Sequence, residues 1–380
     1  MADLTESAEQ AELRATLRRL FGGASACLAR PEPGDDGYYD AKLWDVLAGE
    51  IGLCGLALPE RYGGSGYSRA DRAAALHEMG RCLLPSPFLA SVVLAAETLL
   101  AAGDEDVLAG TLPALAAGTT LATVAYQPAP GGDGRPVRAV RDRTGWVLTG
   151  SRSFVLDGDQ ADLILVPAES EDGISLFAVD TTTTRGLTRG PMRTLDPSRP
   201  QARLDFAATP GRLVGRPGAG PQAVRKGLAH ATIALAAEQT GGAERCLEAA
   251  VEYAGIRHQF GRPVGSFQAI KHKCADLLIL VESARSAVRY AASVSSLEPG
   301  DDDLHAAAAF AGAYCSAAYF TVAAENIQIH GGIGFTWEHD AHLYFRRAKA
   351  SEVMFGTPAE HRAALARHLG LAASPPAAEA

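Results

Sequence analysis

The residue composition changes twice along the 380-residue chain, and the order of the three resulting segments constrains the fold more than any single motif does. Residues 8–118 are rich in Ala and Leu, whereas residues 119–215 carry short runs of Val, Ile, Leu and Phe between Gly, Asp and Pro clusters. Ala- and Leu-rich sequence returns after residue 221. Ala and Leu favour helices, and short β-branched or aromatic runs bounded by turn residues favour strands. The order therefore predicts an α+β protein in which a small β domain separates two helical domains.

These changes of residue composition also predict the domain boundaries. We expect an N-terminal α-helical domain over residues 1–118, a middle β domain over 119–215, a C-terminal four-helix bundle over 216–371 and a disordered tail over 372–380. The Gly- and Pro-rich residues 215–221 form the expected hinge before the bundle. Strands are expected at Trp146–Leu148, Asp162–Val166, Ile174–Val179 and Arg203–Phe206.

Helical periodicity predicts three long helices after the hinge, each with one face of apolar or small residues. The three faces are Leu247, Ala250, Val251 and Ala254; Leu277, Val281, Ala284, Val288 and Ala291; and Phe310, Tyr314, Ala317, Thr321, Ala324 and Gln328.

Charge and composition exclude several classes of protein. The net charge of −9 argues against binding nucleic acid or an anionic membrane through the general field of the molecule. No apolar run approaches the roughly 18 residues of a membrane span, and the N-terminal residues lack a signal-peptide pattern, so we expect a cytoplasmic protein. The six cysteines are scattered singly without zinc-type spacing, which predicts reduced structural thiols and no metal site.

Three motifs lie in order along the chain. Residues 58–64 read LPERYGG, residues 257–268 read RHQFGRPVGSFQ, and residues 328–336 read QIHGGIGFT. They resemble the PExxGG, RxQFGxPxxxxQ and QxxGGxGxT motifs of the acyl-CoA dehydrogenase family, in the same order and at similar separations. A single glycine-rich motif would be weak, but three in register indicate that the resemblance covers almost the whole chain.

The resemblance implies an acyl-CoA dehydrogenase-like fold, FAD as cofactor, an acyl-CoA substrate and an electron-transfer acceptor. It assigns Arg257 to the FAD pyrophosphate, for which a guanidinium offers a planar set of donors. In this family both C-terminal motifs reach the flavin of a neighbouring subunit, so we expect a dimer or tetramer. The full set of expected cofactor-binding residues is Arg257, Gln259, Phe260, Gln268, Gln328, Gly331, Gly332 and Thr357.

The chain departs from the family at the catalytic base. Most members carry a Glu in an EGT motif that takes the α-proton of the acyl group, and the corresponding residue here is Phe355. Other members place this Glu 26 residues before the RxQFG arginine, where this chain has Ala231. Neither residue can accept a proton. Glu238 and Glu352 are the nearest carboxylates in sequence, and structural or solvent-facing roles are expected for both because helical rise places them too far along the axis.

Two further departures lie in the β domain. The family's TEPxAGSD stretch appears here as residues 126–130, YQPAP, without the Gly-Ser-Asp that follows it. The family's W-I-T/S element, whose hydroxyl hydrogen-bonds the flavin N5, corresponds to residues 154–156, FVL, and Leu156 has no such donor. The chain thus retains the motif residues that in this family bind the flavin of a neighbouring subunit. It lacks the residues that would contact the flavin bound to the chain itself.

This asymmetry resembles the actinobacterial acyl-CoA dehydrogenases of steroid side-chain catabolism, which pair two kinds of subunit around one flavin site. Residues 334–349, GFTWEHDAHLYFRRAK, look particularly like that subgroup. The expected partner is therefore a second acyl-CoA dehydrogenase subunit that bears the Glu. Two alternatives stay open at this point: a self-sufficient homo-oligomeric flavoenzyme with a displaced base or other flavin chemistry, and a non-catalytic scaffold subunit.

Overall fold

The computed structural model describes residues 5–23, 38–127, 136–143, 145–297 and 300–371. The chain forms two compact units, each assembled from separate stretches of sequence. The first unit comprises Met1–Gly22, Ala73–Leu83 and Thr232–Ala380, and the second comprises Gly23–Arg72 and Leu84–Ala231. The expected tail 372–380, residues 128–130 of the YQPAP stretch and Cys27 lie outside the described residues.

Ten α-helices and nine strands are found in the described residues, and they follow the expected order of helical, β and helical sequence. The helices are α1 Ala8–Gly23, α2 Ala41–Asp45, α3 Arg69–Arg81, α4 Ala96–Ala102, α5 Glu105–Ala116, α6 Gly220–Ile256, α7 Gln268–Ser296, α8 Asp301–His330, α9 Ala341–Glu352 and α10 Pro358–His368. The strands are β1 Ala122–Val124, β2 Val137–Arg141, β3 Trp146–Leu156, β4 Leu163–Ser170, β5 Gly173–Asp180, β6 Leu187–Pro191, β7 Gln201–Val214, β8 His258–Gln259 and β9 Arg262–Pro263.

A seven-stranded mixed sheet forms the β domain of the second unit. The strands follow the order β1-β4-β2-β3-β7-β5, β6 pairs with β7, and β4 also pairs with β5. Alternate residues of β2, β3, β4, β5 and β7 enclose an apolar core that includes Val137, Leu148, Ile164 and Phe177, all 0% exposed. The four strands expected from sequence correspond to β3, β4, β5 and β7.

Helices α7 and α8, together with the part of α6 from Thr232 onward, are the long helices of the first unit. The expected face of α7, from Leu277 to Ala291, is buried throughout. On α8 the buried face is instead Leu304, Ala308, Ala311, Cys315, Ala318 and Val322, while Phe310 is 38% exposed on the opposite side. Val251 of α6 is also half exposed. An Ala-rich helix is apolar on almost every side, so periodicity alone could not select the face that packs.

Close helix contact in the first unit depends on glycine. A Cβ on Gly80 of α3 would lie 1.9 Å from the carbonyl oxygen of Glu238, and a Cβ on Gly241 of α6 would lie 1.9 Å from that of His77. The two backbones therefore approach more closely than any other residue type permits.

The segment Asp301–Phe335 is long and apolar enough to cross a membrane by length and composition alone. However, 67% of its most apolar window is buried inside the structure, which is typical of a core helix in a helical bundle.

The cysteines of the described residues are all free thiols, at Cys54, Cys82, Cys246, Cys274 and Cys315. Within the same residues, no group of three or more His, Cys, Asp or Glu side chains is arranged to hold a metal ion.

Candidate functional site

The Arg257 motif lies at the exposed end of α6. Here the chain turns through the hairpin β8–β9 into α7, with His258 paired to Pro263 and Gln259 paired to Arg262. Arg257, Gln259 and Gln268 are exposed, and the side chain of Phe260 is 91% exposed. The Arg257 guanidinium makes no hydrogen bond or ion pair with another side chain in the described part of the chain. A large exposed aromatic beside an unengaged arginine is typical of a surface that binds another molecule.

The hairpin is held by local contacts. Phe260 adopts a positive φ of 54°, and its ring lies 6.1 Å from that of Phe267 in an edge-on contact. The guanidinium of Arg262 lies 4.0 Å above the Phe267 ring. At the start of α7, the Gln268 amide is 2.9 Å from Nε2 of His272, so Gln268 faces the same side as this imidazole.

The Gln328 motif is joined to the Arg257 motif by stacked rings. His330, two residues after Gln328, stacks on Tyr253 of α6 with ring centroids 4.4 Å apart, and the ring of His339 lies 4.3 Å from that of His330 in a tilted contact. Burial lowers the pKa of His330 below its ordinary value of 6.5, although its Nδ1 lies 2.8 Å from the Asn326 carbonyl oxygen. Tyr253 precedes Arg257 by one helical turn, so the structure brings the two motifs together.

The glycines of these motifs leave room for a ligand. Gly331 ends α8 with a φ of 65°, and a Cβ added to Gly331, Gly332 or Gly261 would meet no atom within 4 Å. Together with Arg257, this open backbone fits a group with a pyrophosphate and flat rings, such as FAD. These residues would hold such a cofactor.

The LPERYGG loop depends on its two glycines. Gly63 has a φ of 82°, and a Cβ on Gly64 would lie 2.1 Å from the carbonyl oxygen of Leu58. The Tyr62 hydroxyl donates to Oε2 of Glu105 over 2.6 Å and fixes the loop on α5.

Phe355 lies in a tight turn between α9 and α10, half-buried and followed by Gly356 with a φ of 116°. Thr357 begins α10, where its hydroxyl donates to Oε2 of Glu360 over 2.8 Å and accepts from the Glu360 amide over 3.2 Å. This capping box engages the hydroxyl in holding the helix, and its expected contact with the cofactor stays a prediction. His361 packs against Gly356, and burial lowers the pKa of its imidazole.

Ala231 and the FVL element, residues 154–156, lie in the second unit. Ala231 of α6 is 0% exposed, and Leu156 at the end of β3 is 5% exposed. Phe154 is partly exposed with a φ of 54°, where β3 and β7 shift register, and its amide donates to Sδ of Met192 over 3.4 Å. The side chains of Ala231, Phe154 and Leu156 contain no proton acceptor.

Both carboxylates considered as displaced bases are engaged in ion pairs. Oε1 of the buried Glu238 accepts from Nη1 of Arg347 over 2.7 Å. Oε2 of Glu352 accepts from Nζ of Lys349 over 2.5 Å. These contacts agree with the structural roles expected from sequence.

Sequence reasoning missed one buried acid next to Leu156. Asp157 is 5% exposed, and burial raises the pKa of its carboxyl from 3.8 to about 7, although Tyr38 and Arg199 act in the opposite direction. Asp157 begins the polar run DGDQ that follows β3, a pattern typical of an exposed turn, so no signal in the sequence indicates its burial.

Comparison with known proteins defines the class. Residues 7–119 match the family model "Acyl-CoA dehydrogenase, N-terminal domain" and residues 218–370 match "Acyl-CoA dehydrogenase, C-terminal domain". The chain belongs to the acyl-CoA dehydrogenase family, whose cofactor is FAD.

Three relatives show how far the similarity extends. The acyl-CoA dehydrogenase IpdE2 of Mycobacterium tuberculosis is 36% identical over 359 residues, which covers 94% of this chain and 96% of that protein. A variant of the Tcur3481-Tcur3483 steroid ACAD is 30% identical with a TM-score of 0.84, covering 95% of this chain and 98% of the matched chain. The ChsE4-ChsE5 complex from Mycobacterium tuberculosis contains a chain that is 29% identical with a TM-score of 0.85, covering 98% of this chain and 100% of that one.

Proposed function

We propose that this chain is the base-less subunit of a heteromeric, FAD-dependent acyl-CoA dehydrogenase. The enzyme introduces an α,β double bond into an acyl-CoA thioester. A second acyl-CoA dehydrogenase chain supplies the carboxylate that removes the α-proton. The assembly passes its electrons to an electron-transfer acceptor and works in the cytoplasm.

The observation that carries this proposal is the absence of a proton acceptor at both family base positions. Phe355 and Ala231 occupy these positions, and neither side chain has a titratable group. Glu238 is tied to Arg347 inside the bundle of the first unit, and Glu352 to Lys349, so neither replaces the missing base.

The residues that reach outward support a shared cofactor site. When bound, FAD supplies the acceptor for the hydride that leaves the β-carbon. Arg257 is exposed and unengaged within the described residues, so its guanidinium can neutralise a pyrophosphate presented by a neighbour. Gln259, Gln268 and Gln328 are exposed on the same two motifs and can donate or accept hydrogen bonds there. The open glycines Gly331 and Gly332 let a ligand approach the backbone.

The relatives support the heteromer and the substrate class. One similar structure is a complex of two chains, ChsE4 and ChsE5, and another is described as a steroid ACAD. We therefore propose that the acyl group is a steroid side chain or a fragment of one.

Anaerobic reduction of the flavin tests the proposal. The chain is purified alone and together with an acyl-CoA dehydrogenase chain that carries the EGT glutamate, and steroid side-chain thioesters are added without oxygen. We expect bleaching only in the pair, with about one flavin per two chains, because loss of a general base lowers the rate about 10²- to 10⁴-fold. Rapid bleaching by the single chain would overturn the heteromer and direct attention to Asp157.

A further inference from the structure

Residues 331–340 connect α8 to α9 in the first unit and are called here the 331–340 segment. Its residues are exposed, including Phe335 at 83% and Trp337 at 69%, with two exceptions. One is Gly334, which is buried and has no side chain, and the other is His339, which is half-buried. His339 is therefore the one side chain of the segment that is not exposed.

Three rings link the 331–340 segment to α6. The ring of His339 lies 4.3 Å from that of His330, which in turn stacks on Tyr253 of α6 at 4.4 Å. The backbone bonds inside the segment are local, with Thr336 donating to Ile333 over 3.0 Å and His339 donating to Thr336 over 3.4 Å. These bonds shape the segment, and the stacked rings hold it against the helix.

The contact that His339 makes requires a neutral imidazole. Its Nδ1 accepts a hydrogen bond from the Ala341 amide over 3.1 Å, so this nitrogen carries no proton. Ala341 is the first residue of α9, where the free amides form the positive end of the helix dipole. An imidazolium has donors on both ring nitrogens, so a protonated His339 would lose this bond and be repelled by the helix end.

Burial favours the neutral form of His330 as well. This side chain is 5% exposed, and burial lowers the pKa of its imidazole below the ordinary value of 6.5. Its Nδ1 donates to the Asn326 carbonyl oxygen over 2.8 Å, which acts in the opposite direction and is outweighed. Tyr253 faces His330 from α6 and His339 faces it from the segment. Of the two, His339 is the one whose charge acts on His330, and it lowers the pKa further.

The direction of the pH effect follows from these contacts. When the segment moves away, His330 loses the ring of His339, gains water and returns to its ordinary pKa of 6.5. Between that value and the lowered pKa of the closed arrangement, the released state binds a proton that the closed state does not. The closed arrangement is therefore fully favoured above about pH 6.5 and loses stability as the pH falls.

We propose that Tyr253, His330 and His339 form an acid-sensitive latch that holds the 331–340 segment against α6 and releases it as the pH falls. The exposed Phe335 and Trp337 lie on this segment, so its release rearranges the aromatic surface beside the candidate cofactor site. The inference concerns contacts within this chain and does not depend on the proposed function.

Hydrogen–deuterium exchange of the full chain between pH 5.5 and pH 7.5 tests the latch. Each rate is divided by that of an unstructured peptide at the same pH, and a peptide covering residues 331–345 reports the protection of the segment, including the Ala341 amide. We expect this protection to fall by up to about 8-fold between pH 7 and pH 5.5, the limit for one imidazole with an ordinary pKa of 6.5. Peptides from β4 and β5 should not lose protection with it.

Two variants separate the latch from general loosening. His330→Phe keeps a ring in the stack but cannot be protonated, so its segment should be as protected as in the wild type at pH 7 and change by less than about twofold down to pH 5.5. His339→Asn keeps an acceptor for the Ala341 amide but removes the ring. Its segment should already be less protected at pH 7, without a further fall.

His368→Phe is the matched control, because His368 is an exposed histidine at the end of α10. This variant should keep the fall seen in the wild type. Segment protection that stays constant with pH in the wild type would overturn the latch. A fall that persists undiminished in His330→Phe, or full protection in His339→Asn, would overturn it as well.

Discussion

Glu238 and Arg347 form a buried ion pair between α6 and α9, with Nη1 of Arg347 donating to Oε1 of Glu238 over 2.7 Å. Arg347 is 2% exposed and Glu238 is 5% exposed, so neither charge is solvated by bulk water. A carboxylate held in this way is committed to its partner. The pair therefore gives the acid that lies on the same helix as Ala231 a structural role.

Replacing Glu238 by Gln should destabilise the protein strongly. The Arg347 charge would remain buried without its partner, which typically costs about 3–5 kcal/mol. Urea or guanidinium denaturation of the purified variant measures the change in the free energy of unfolding.

The matched control is Glu352→Gln at the end of α9. Glu352 pairs with Lys349, whose side chain is 47% exposed, so its loss should change the free energy of unfolding by no more than about 1 kcal/mol. Similar values for the two variants would mean that the buried pair contributes no more than a surface pair.

Gly80→Ala should destabilise the packing of α3 on α6. The new Cβ would lie 1.9 Å from the Glu238 carbonyl oxygen, so the helices must separate, at a cost of about 1–3 kcal/mol or more. Gly110→Ala on α5 is the control, because a Cβ there meets no atom within 4 Å. That variant should be stabilised by about 0.5–1 kcal/mol, since alanine loses less conformational entropy in a helix. Thermal unfolding of both variants decides whether the α3–α6 contact is as tight as the structure shows.

The strands that sequence predicted carry several large apolar residues. β3, β4 and β5 contain short apolar runs and β7 alternates Leu204 and Phe206 with polar residues, whereas β1 has three residues and β2 alternates Arg with apolar residues. β6, with the sequence LTRGP, carries a single large apolar residue. Short and polar strands are stabilised by pairing with their neighbours, which a local pattern does not record. The same limit explains why the buried face of the Ala-rich α8 was not predicted.

The motif residues of the candidate site could be read from the sequence, but the buried charges could not. Phe355 and Ala231 were identified because each falls within or at a fixed distance from a motif. Arg72 and Glu97 form a buried ion pair, yet they are 25 residues apart and lie on helices whose polar residues read as solvent-exposed. Only the packing of α3 against α4 brings these two residues together, and a pattern within either helix alone does not reveal this contact.

Arg257→Ala should lower the amount of FAD retained by the assembled enzyme. Its guanidinium is unengaged in the described chain, so its proposed partner is the cofactor pyrophosphate, and loss of such a charge-assisted pair costs roughly 2–5 kcal/mol. Arg257→Lys should recover part of the occupancy, because lysine keeps the charge but not the paired donors. Flavin absorbance per chain after gel filtration gives the occupancy.

Arg225→Ala is the control for that series. Arg225 is also exposed on α6 but lies near its start, outside all three motifs. Its replacement should leave flavin occupancy unchanged. If Arg257→Ala also retained full occupancy, Arg257 would be a helix-end residue with no part in cofactor binding.

Asp157→Asn should remove a pH dependence of stability. Burial raises the pKa of Asp157 from 3.8 to about 7 in the folded protein, with Asp159 adding to the rise and Tyr38 and Arg199 opposing it. Between these two pKa values the folded state binds a proton that the unfolded state has released. The free energy of unfolding of the wild type therefore falls as pH rises from about 4 to about 7, and this contribution is constant above the folded pKa.

The measurement is the difference in free energy of unfolding between Asp157→Asn and wild type at pH 5, 6, 7 and 8. Because asparagine does not titrate, the difference should shift in favour of the variant by on the order of a few kcal/mol over this range. Glu78, Glu97 and Glu244 have lowered pKa values and lose their stabilising charge only at lower pH, in both proteins alike, so their effects cancel in the difference. A difference that stays constant with pH would show that Asp157 is ionised in the folded protein, with Tyr38 and Arg199 compensating its burial.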